Sequence, residues 1–370
     1  MALSNTTDPA KAAESLAIAI GRNVPGAQEV LVTDIDIPKA SGLSNETVLF
    51  SASWMQGGEE VSRRLVARIQ PSGPAVFPRY DFGLEFDVMR ALQIGTDVPV
   101  PVMLFWSDDA SLLGAPFMVM ERVDGRVPSD DPPFTAAGWV LEELSADERA
   151  RLNENALQTL AKLHSVDLDA VGLGALAAHR EAGIDGQLAF WRETFEWAAA
   201  GDANPTVEAG FDWLADNRPA DMGPTVLNWG DARVGNMMFA DDLSVAAVLD
   251  WEMVAVAPAA LDVAWWLFLL RHHTEGIGAP LPEGFPTREE TVARYEELTG
   301  FSLPDLHWFE VFCAVRLASL MHRAGNLMVG AGLLPPDAPM KLNNPASQLL
   351  AKLLGLEAPS GESQSFIGNR

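Results

Sequence analysis

Four side chains with complementary chemistry lie within residues 227–251, which read LNWGDARVGNMMFADDLSVAAVLDW. They are Asp231, Arg233, Asn236 and Asp250. Phosphoryl transfer from a nucleotide needs a carboxylate that takes the proton of the attacking hydroxyl, a cation near the moving group and oxygen ligands for Mg²⁺. Asp231 fits the first requirement and Arg233 the second, while Asn236 and Asp250 offer the hard oxygen ligands that Mg²⁺ prefers. The set therefore predicts a phosphoryl-transfer site.

Short apolar runs explain how these four residues could meet. Residues 225–228 favour a strand that leads into the polar loop, and residues 237–239 and 245–249 predict a hairpin. The hairpin would return Asp250 to the side of Asn236. The alternative is an acidic loop before a buried hairpin, because Asp, Asn and Gly are common in loops. Four such residues in order and in register favour the phosphoryl-transfer interpretation.

The same stretch resembles the catalytic and metal loops of the aminoglycoside phosphotransferase family, small-molecule kinases with a protein-kinase-like fold. Family members show H-G-D-x-x-x-x-N, followed by an Asp in a D-[WF]-[EGD] turn. Here the letters are W-G-D-A-R-V-G-N, ending at Asn236, and D-W-E, beginning at Asp250. Trp229 replaces the usual His, as in a branch of actinobacterial members with this loop. Because that His is usually a structural support, the departure preserves the reaction class and weakens inference about the substrate.

The resemblance also implies a residue that supports the loop. An Asp at the start of a later helix braces the catalytic loop in the family, and Asp262 stands at the matching position. A buried carboxylate needs hydrogen-bonding partners. We therefore expect Asp262 to have a structural role.

The resemblance implies that the N-terminal part binds the nucleotide. A loop containing Ser44 and Asn45, between two predicted strands, would cover the phosphates. Related kinases pair a strand lysine with a helix glutamate, but residues 40–161 contain no lysine. Arg68 is the best substitute, since its planar fork can hold a phosphate, and Glu85 is the matching glutamate. The alternatives are a solvent-facing strand arginine and a glutamate that only complements the helix dipole.

Residues 117–120 predict a strand that leads into a charged segment ending at Gly125. This order resembles the hinge between kinase lobes, where the backbone of Glu121 and Val123 would face the adenine edge. After Gly125, long helical patterns dominate. Two of these helices, rich in aromatic residues, resemble the insertion that builds the acceptor pocket in the family. Their tryptophans, Trp191, Trp197 and Trp213, favour core packing over a binding role.

The fold class that follows is α+β, a protein-kinase-like two-lobed fold with a small, mainly antiparallel β lobe and a larger helical lobe. We expect a nucleotide-binding lobe over residues 1–123 and a catalytic and acceptor-binding lobe over residues 124–358. The tail, residues 359–370, is expected to be disordered.

Composition sets limits on other functions. The chain has 370 residues, 48% hydrophobic and 21% charged, which is typical of a globular protein. A net charge of −26 argues against a nucleic-acid partner. The single cysteine, Cys313, gives no disulfide framework and suits a core position.

No signal-peptide pattern opens the chain, and Pro258 and Asp262 interrupt its most apolar stretch, so we expect a cytoplasmic protein without a membrane partner.

The predicted function is Mg²⁺-dependent transfer of the γ-phosphoryl group of ATP to a hydroxyl of a small molecule, with GTP not excluded as donor. An aminoglycoside is one candidate acceptor, because Glu252, Glu275 and Glu310 could meet ammonium groups. The Trp-rich helices suit a less polar acceptor equally well. The rival interpretations are a nucleotide-binding pseudokinase that acts as sensor or scaffold, and an acidic interaction domain without a nucleotide. The sequence does not determine the oligomeric state.

Overall fold

The structure is a computed structural model and describes residues 8–38, 45–361 and 363–364. The chain divides into two compact units. The N-terminal unit comprises Met1–Gly95 and Val100–Asp124, and the C-terminal unit comprises Thr96–Pro99 and Gly125–Arg370.

The described part of the N-terminal unit is built on one antiparallel sheet. Its helices are α1 (Pro9–Asn23), α2 (Phe82–Gly95) and α3 (Ala110–Leu113), and its strands are β1 (Gln28–Asp36), β2 (Glu46–Gln56), β3 (Glu59–Ile69), β4 (Met103–Ser107) and β5 (Phe117–Glu121). The strand order is β1-β2-β3-β5-β4, with every neighbouring pair antiparallel.

Alternating side chains of this sheet form its core. On β2 the buried positions are Val48, Phe50, Ala52 and Trp54. On β3 the burial alternates, because Leu65, Ala67 and Ile69 are buried while Val66 and Arg68 are only partly so. Side chains at every second position share a face of a strand, so both strands present one apolar face. Helix α1 contributes Leu16 and Ile20 to the same cluster.

The C-terminal unit is mainly helical. Its helices are α4 (Trp139–Glu142), α5 (Ala146–His164), α6 (Gly183–Ala199), α7 (Pro205–Asp216), α8 (Ala259–His272), α9 (Arg288–Thr299), α10 (His307–Gly330) and α11 (Pro345–Leu354). Two short antiparallel pairs join them, β6 (Thr225–Asn228) with β9 (Ala255–Pro258) and β7 (Met237–Phe239) with β8 (Val245–Val248). The predicted α+β class, a small antiparallel β part and a larger helical part, is confirmed.

Helices α8 and α10 form the centre of this unit. Helix α8 is buried on nearly every side, as its almost continuous apolar sequence requires. Helix α10 packs against α6, α7, α8 and α11, and Cys313 on it is buried, as predicted. Helix α8 begins at Ala259, directly after Pro258, which closes β9 opposite Thr225. No separate pattern marks β9, since its four residues run directly into the apolar helix.

The aromatic residues of α6 and α7 differ in their surroundings. Trp191 is buried, which confirms core packing at this position. Trp197 and Trp213 are only partly buried and contact Arg323 and His307, respectively.

The C-terminal tail is described only in part. Pro359, Ser360 and Gly361 accept hydrogen bonds from side chains of Asn343 or Gln348. The disorder predicted for the remainder concerns residue 362 and residues 365–370, which lie outside the described residues.

Candidate active site

A sharp turn after β6 carries the candidate base. Gly230 has a φ of +92°, and a Cβ placed on it would lie 2.1 Å from the carbonyl oxygen of Met253. Only glycine combines this conformation with so close an approach of two backbone segments. The turn directs Asp231 out of the strand, and a short 3₁₀ turn, Val234–Asn236, then leads into β7.

Asp262 lies beneath this turn, in the first turn of α8. Its carboxylate is fully buried and accepts hydrogen bonds from the backbone N–H groups of Trp229, at 2.6 Å, and Gly230, at 2.9 Å. A carboxylate that accepts hydrogen bonds from two backbone N–H groups fixes the path of the chain. These contacts are the ones expected of a residue that braces the loop.

A buried histidine and tyrosine extend this support. His164 Nε2 lies 3.2 Å from Asp262 Oδ2, and His164 Nδ1 lies 2.7 Å from the hydroxyl of Tyr295. With the proton on Nε2, the imidazole donates to Asp262 and accepts from Tyr295. Burial, followed by the charge of Asp262, raises the pKa of Tyr295, so its hydroxyl stays protonated. His164 is the last residue of α5, and its two partners lie about 100 and 130 positions further along the chain, so local sequence patterns do not reveal them.

The Asp231 carboxylate is held by three donor side chains. Oδ1 accepts from Trp265 Nε1 at 2.6 Å, Oδ2 accepts from Asn236 Nδ2 at 2.6 Å, and Arg233 Nε lies 3.1 Å from both oxygens. Burial raises the pKa of Asp231, but the charge of Arg233 and the hydrogen bonds from Trp265, Arg233 and Asn236 outweigh it. The resulting pKa lies below the ordinary value, so the carboxylate is ionised at neutral pH.

Arg233 is shared between two carboxylates. Besides Asp231, it forms an ion pair with Asp130 through Nη1. Burial lowers the pKa of Arg233, but the charges of Asp130 and Asp231 outweigh burial and raise it above the ordinary value. The guanidinium therefore remains charged, with both neighbours already offsetting its charge. Its predicted contact with phosphoryl oxygens stays a prediction.

The two candidate metal ligands lie at adjoining positions of the β7–β8 hairpin. The backbone N–H of Leu249 donates to the carbonyl of Asn236 at 2.9 Å, so Asp250 follows directly beside Asn236. Asp250 has a φ of +61°, a strained backbone conformation that is concentrated at functional sites. An amide and a carboxylate oxygen at adjoining positions fit a hard cation that keeps several waters and phosphates as its other ligands.

Trp229 connects the turn at Gly230 to the segment that carries Asp250. Its indole N–H lies 2.9 Å from the carbonyl of Leu249 and 3.0 Å from that of Asp250, while the ring is fully buried. The residue at the usual His position thus ties the two loops together through one donor and a large packed surface.

In the N-terminal unit, Arg68 and Glu85 form the predicted pair. Arg68 Nη1 lies 3.6 Å from Glu85 Oε2, and both side chains are largely buried. Asn45 is buried directly before β2, while Ser44 lies outside the described residues. The backbone N–H of Glu121 donates to the carbonyl of Val102, so a contact of Glu121 with adenine would use its carbonyl. Val123 follows the end of β5.

A pocket in the C-terminal unit lies beside Arg233. Its lining is mostly apolar and aromatic: Asp130, Phe134, Asn153, Arg233, Val234, Gly235, Trp266, Leu269, Leu270, His273 and Phe285.

Sequence reasoning missed Asp130 and His273, which lie far along the chain from the loop that carries Asp231. It also missed Trp265, although this residue follows Asp262 by three positions on a helix and so shares its face.

Two adjacent buried histidines next to this pocket make a pH-dependent contribution to stability. Burial, followed by the charge of His273, lowers the pKa of His272 to about 3. Burial, followed by the charge of Arg233, lowers the pKa of His273 to about 3. Both values lie below the ordinary 6.5, so the unfolded chain binds more protons between about pH 3 and pH 6.5. Their contribution is complete above pH 6.5 and is lost as the pH falls through this window.

We expect the double variant His272→Leu, His273→Leu to lose less thermal stability than the wild type between about pH 7 and about pH 5. The reason is that leucine has no proton to bind in the unfolded state. Melting temperatures at both pH values measure the difference. His307→Gln, a change in a partly exposed residue, is the control and should retain the wild-type slope. A double variant with an unchanged slope would contradict this assignment.

Among the described residues, no helix has the length and apolar character needed to cross a membrane. The same residues contain no cluster of three or more His, Cys, Asp or Glu side chains that could hold a metal. The candidate pair of Asn236 and Asp250 contains only one residue of these four types, so the absence of such a cluster does not bear on it.

Known proteins resemble this chain in sequence. Acyl-CoA dehydrogenase family member 11 of Mus musculus is 28% identical over 347 residues, which cover 88% of this chain and 42% of that protein. The chain therefore spans less than half of this relative's length.

Solved structures give the fold. A protein of Ralstonia eutropha JMP134, classed with the aminoglycoside phosphotransferases, superimposes with a TM-score of 0.65 at 24% identity, over 92% of this chain and 95% of that one. A thermostable mutant of aminoglycoside phosphotransferase APH(4)-Ia, in a ternary complex with ADP and hygromycin B, gives 0.54 at 14% identity, over 94% and 99%. The predicted kinase-like fold class is confirmed by these structures.

The family model of the phosphotransferase enzyme family, APH, matches residues 37–300. This range contains Asp231, Asn236, Asp250 and Asp262, and it is more than half of the chain. The chain belongs to the phosphotransferase enzyme family.

Proposed function

We propose that this protein transfers the γ-phosphoryl group of ATP to a hydroxyl of a small molecule. The observation that carries the proposal is the Asp231 carboxylate, which is ionised and held within one hydrogen bond of Asn236, a candidate metal ligand. A general base must be unprotonated and fixed in place before the substrate arrives. Family membership supports phosphoryl transfer, and the complex of ADP with a protein of the same fold supports an adenine nucleotide as donor.

In the proposed reaction, Asp231 accepts the proton of the acceptor hydroxyl as its oxygen bonds to the γ-phosphorus and ADP leaves. Asn236 and Asp250 hold Mg²⁺, which neutralises phosphate charge when it is bound. Arg68, positioned by Glu85, holds the donor phosphates. The backbone of Glu121 and Val123 and the side chains of Ser44 and Asn45 complete the proposed nucleotide contacts. GTP is a possible alternative donor.

Arg233 has two successive roles in this proposal. The four contacts at Asp231 occupy both lone pairs of each oxygen, since Arg233 Nε reaches Oδ1 and Oδ2 together. An acceptor hydroxyl needs one of these lone pairs. The contacts of Arg233, at 3.1 Å, are the longest of the four, so a shift of this guanidinium toward the phosphoryl oxygens would free the base and offset the phosphoryl charge in the same movement.

The acceptor we propose is less polar than an aminoglycoside. Two of the acidic residues that could bind ammonium groups are paired already, Glu275 with Arg271 and Lys352, and Glu310 with Arg288.

A second candidate function is a nucleotide-binding pseudokinase with a sensor or scaffold role. The arginine at the usual lysine position and the fully occupied Asp231 carboxylate favour it. The presence of Asp231, Asn236 and Asp250 together argues against it, because a binding module has no need of a catalytic base.

The deciding experiment measures ADP release from Mg-ATP with a panel of aminoglycosides, macrolides, amino alcohols, sugars and apolar alcohols. Asp231→Asn is the blank, and the thermal shift with Mg-ATP is recorded in parallel. Release that depends on an acceptor and vanishes in the variant supports the kinase. A thermal shift without acceptor-dependent release favours the pseudokinase. The absence of any shift would overturn both and favour an interaction domain.

A further inference from the structure

Trp265 approaches the candidate base from outside the catalytic loop. It lies on α8, three residues after Asp262, and is buried. Its indole N–H donates to Asp231 Oδ1 at 2.6 Å. Two residues on one face of α8 therefore contact this turn. Asp262 accepts hydrogen bonds from the turn's backbone, and Trp265 donates one to the carboxylate of Asp231.

The other donors to this carboxylate belong to the loop itself. Arg233 and Asn236 lie two and five residues after Asp231 on the same segment. Both have further tasks in the proposed reaction, Arg233 at the phosphoryl group and Asn236 at the metal. Trp265 has no such task, so its hydrogen bond can persist through the whole catalytic cycle.

Arg316 packs against the face of the Trp265 indole. This arginine of α10 is buried, and its guanidinium carbon lies 4.2 Å from the ring centroid of Trp265 and 4.8 Å from that of Trp191. Its Nη2 donates to the carbonyl of Gly230 at 2.8 Å. A cation against the face of an indole is attracted by the ring quadrupole. The same side chain therefore fixes both the ring of Trp265 and the turn before Asp231.

Arg316 makes few other polar contacts to offset its burial. In the described part of the chain, Nε and Nη1 have no nitrogen or oxygen partner. A buried guanidinium with one carbonyl contact is costly for the folded state. The neighbouring charges of Asp262 and Asp231 and the two indole faces are its compensation. An apolar side chain of similar size would fill the same space without this cost.

We propose that Trp265, held in place by Arg316, is a positioning residue that keeps the Asp231 carboxylate oriented toward the acceptor hydroxyl. The inference rests on the proposed function of Asp231 as base. It assigns to α8 the task of fixing one carboxylate oxygen, which leaves the other oxygen to take up the proton after Arg233 moves.

The kinetic test is Trp265→Phe, which retains an aromatic face for Arg316 and removes the N–H donor. With the acceptor found in the panel, we expect kcat to fall about ten- to a hundredfold, because a hydrogen bond to a charged group is lost. The KM values for ATP and acceptor should stay within about twofold, since neither is touched.

The matched control is Trp308→Phe. Trp308 lies on α10, is buried, and donates its indole N–H to the carbonyl of Leu214 at 3.0 Å. The same atoms and one buried hydrogen bond are lost, away from Asp231. A kcat close to the wild-type value in this control supports the proposal. An equal fall of kcat in both variants, or a raised KM with unchanged kcat in Trp265→Phe, would overturn it.

A spectroscopic test needs no acceptor. In the ¹H–¹⁵N spectrum of protein labelled at tryptophan, the indole signal missing in Trp265→Phe belongs to Trp265. We expect this signal to lie downfield and to move upfield in Asp231→Ala, which removes its acceptor. An unmoved signal would overturn the positioning role even if turnover is found. A moved signal in a protein without turnover would support the contact and count against the proposed function alone.

Discussion

Asp231→Asn is expected to lower turnover by about a hundredfold or more while Mg-ATP binding is retained. The amide has nearly the same shape as the carboxylate but takes up no proton at neutral pH. In addition, its NH₂ group must face Trp265, Arg233 or Asn236, each of which donates to Asp231 in the wild type. Steady-state kinetics with the identified acceptor give kcat, and calorimetric titration with Mg-ATP gives the Kd.

Asp185→Asn is the matched control for this substitution. Asp185 is exposed and pairs with Arg218 at 2.5 Å, so the control also removes the charge of a paired aspartate. It should leave both kcat and Kd at wild-type values. Wild-type turnover in Asp231→Asn would show that another group accepts the proton.

Asp262→Ala is expected to lower the free energy of unfolding by about 3 kcal/mol or more, because buried donors lose a charged acceptor. The donors are the backbone N–H groups of Trp229 and Gly230 and the ring of His164. Turnover should also fall steeply, since the turn that carries Asp231 loses its anchor. Urea unfolding followed by circular dichroism measures the stability, and ADP release measures the activity.

Asp242→Ala serves as control for this second prediction. Asp242 also accepts a backbone N–H, that of Ser244, but in an exposed turn of the β7–β8 hairpin. Its removal should leave the urea midpoint and turnover near the wild-type values. If Asp262→Ala unfolds at the same urea concentration as Asp242→Ala, the contacts below the catalytic turn contribute little to stability.

Several features of the site follow from the sequence because they are local. The hairpin that brings Asp250 beside Asn236 is set by two short apolar runs and the turn between them. The buried alternation on β3 follows from the twofold period of a strand. Gly230 is needed by the turn in which it lies. In each case the interacting residues are near in the chain, so spacing and turn chemistry determine the arrangement.

Other features depend on residues that are distant along the chain. Trp265 and Arg316 meet the catalytic turn from α8 and α10, and Asp130 reaches Arg233 from a loop about a hundred positions earlier. An apolar stripe shows which face of a helix is buried, but not which helix packs against it. A buried Trp or Arg in such a stripe has the same sequence pattern whether it fills space or holds a catalytic group.

The sequence by itself thus determined the order and spacing of Asp231, Arg233, Asn236 and Asp250, the family resemblance on which their proposed roles rest, and the α+β class. Tertiary structure alone decided how these residues are held. Trp229 joins the two loops through two carbonyls, and the Arg233 charge is divided between Asp130 and Asp231. The physical reason is that hydrogen bonds and ion pairs depend on distance and direction in space, and the packing of α5, α8 and α10 sets both.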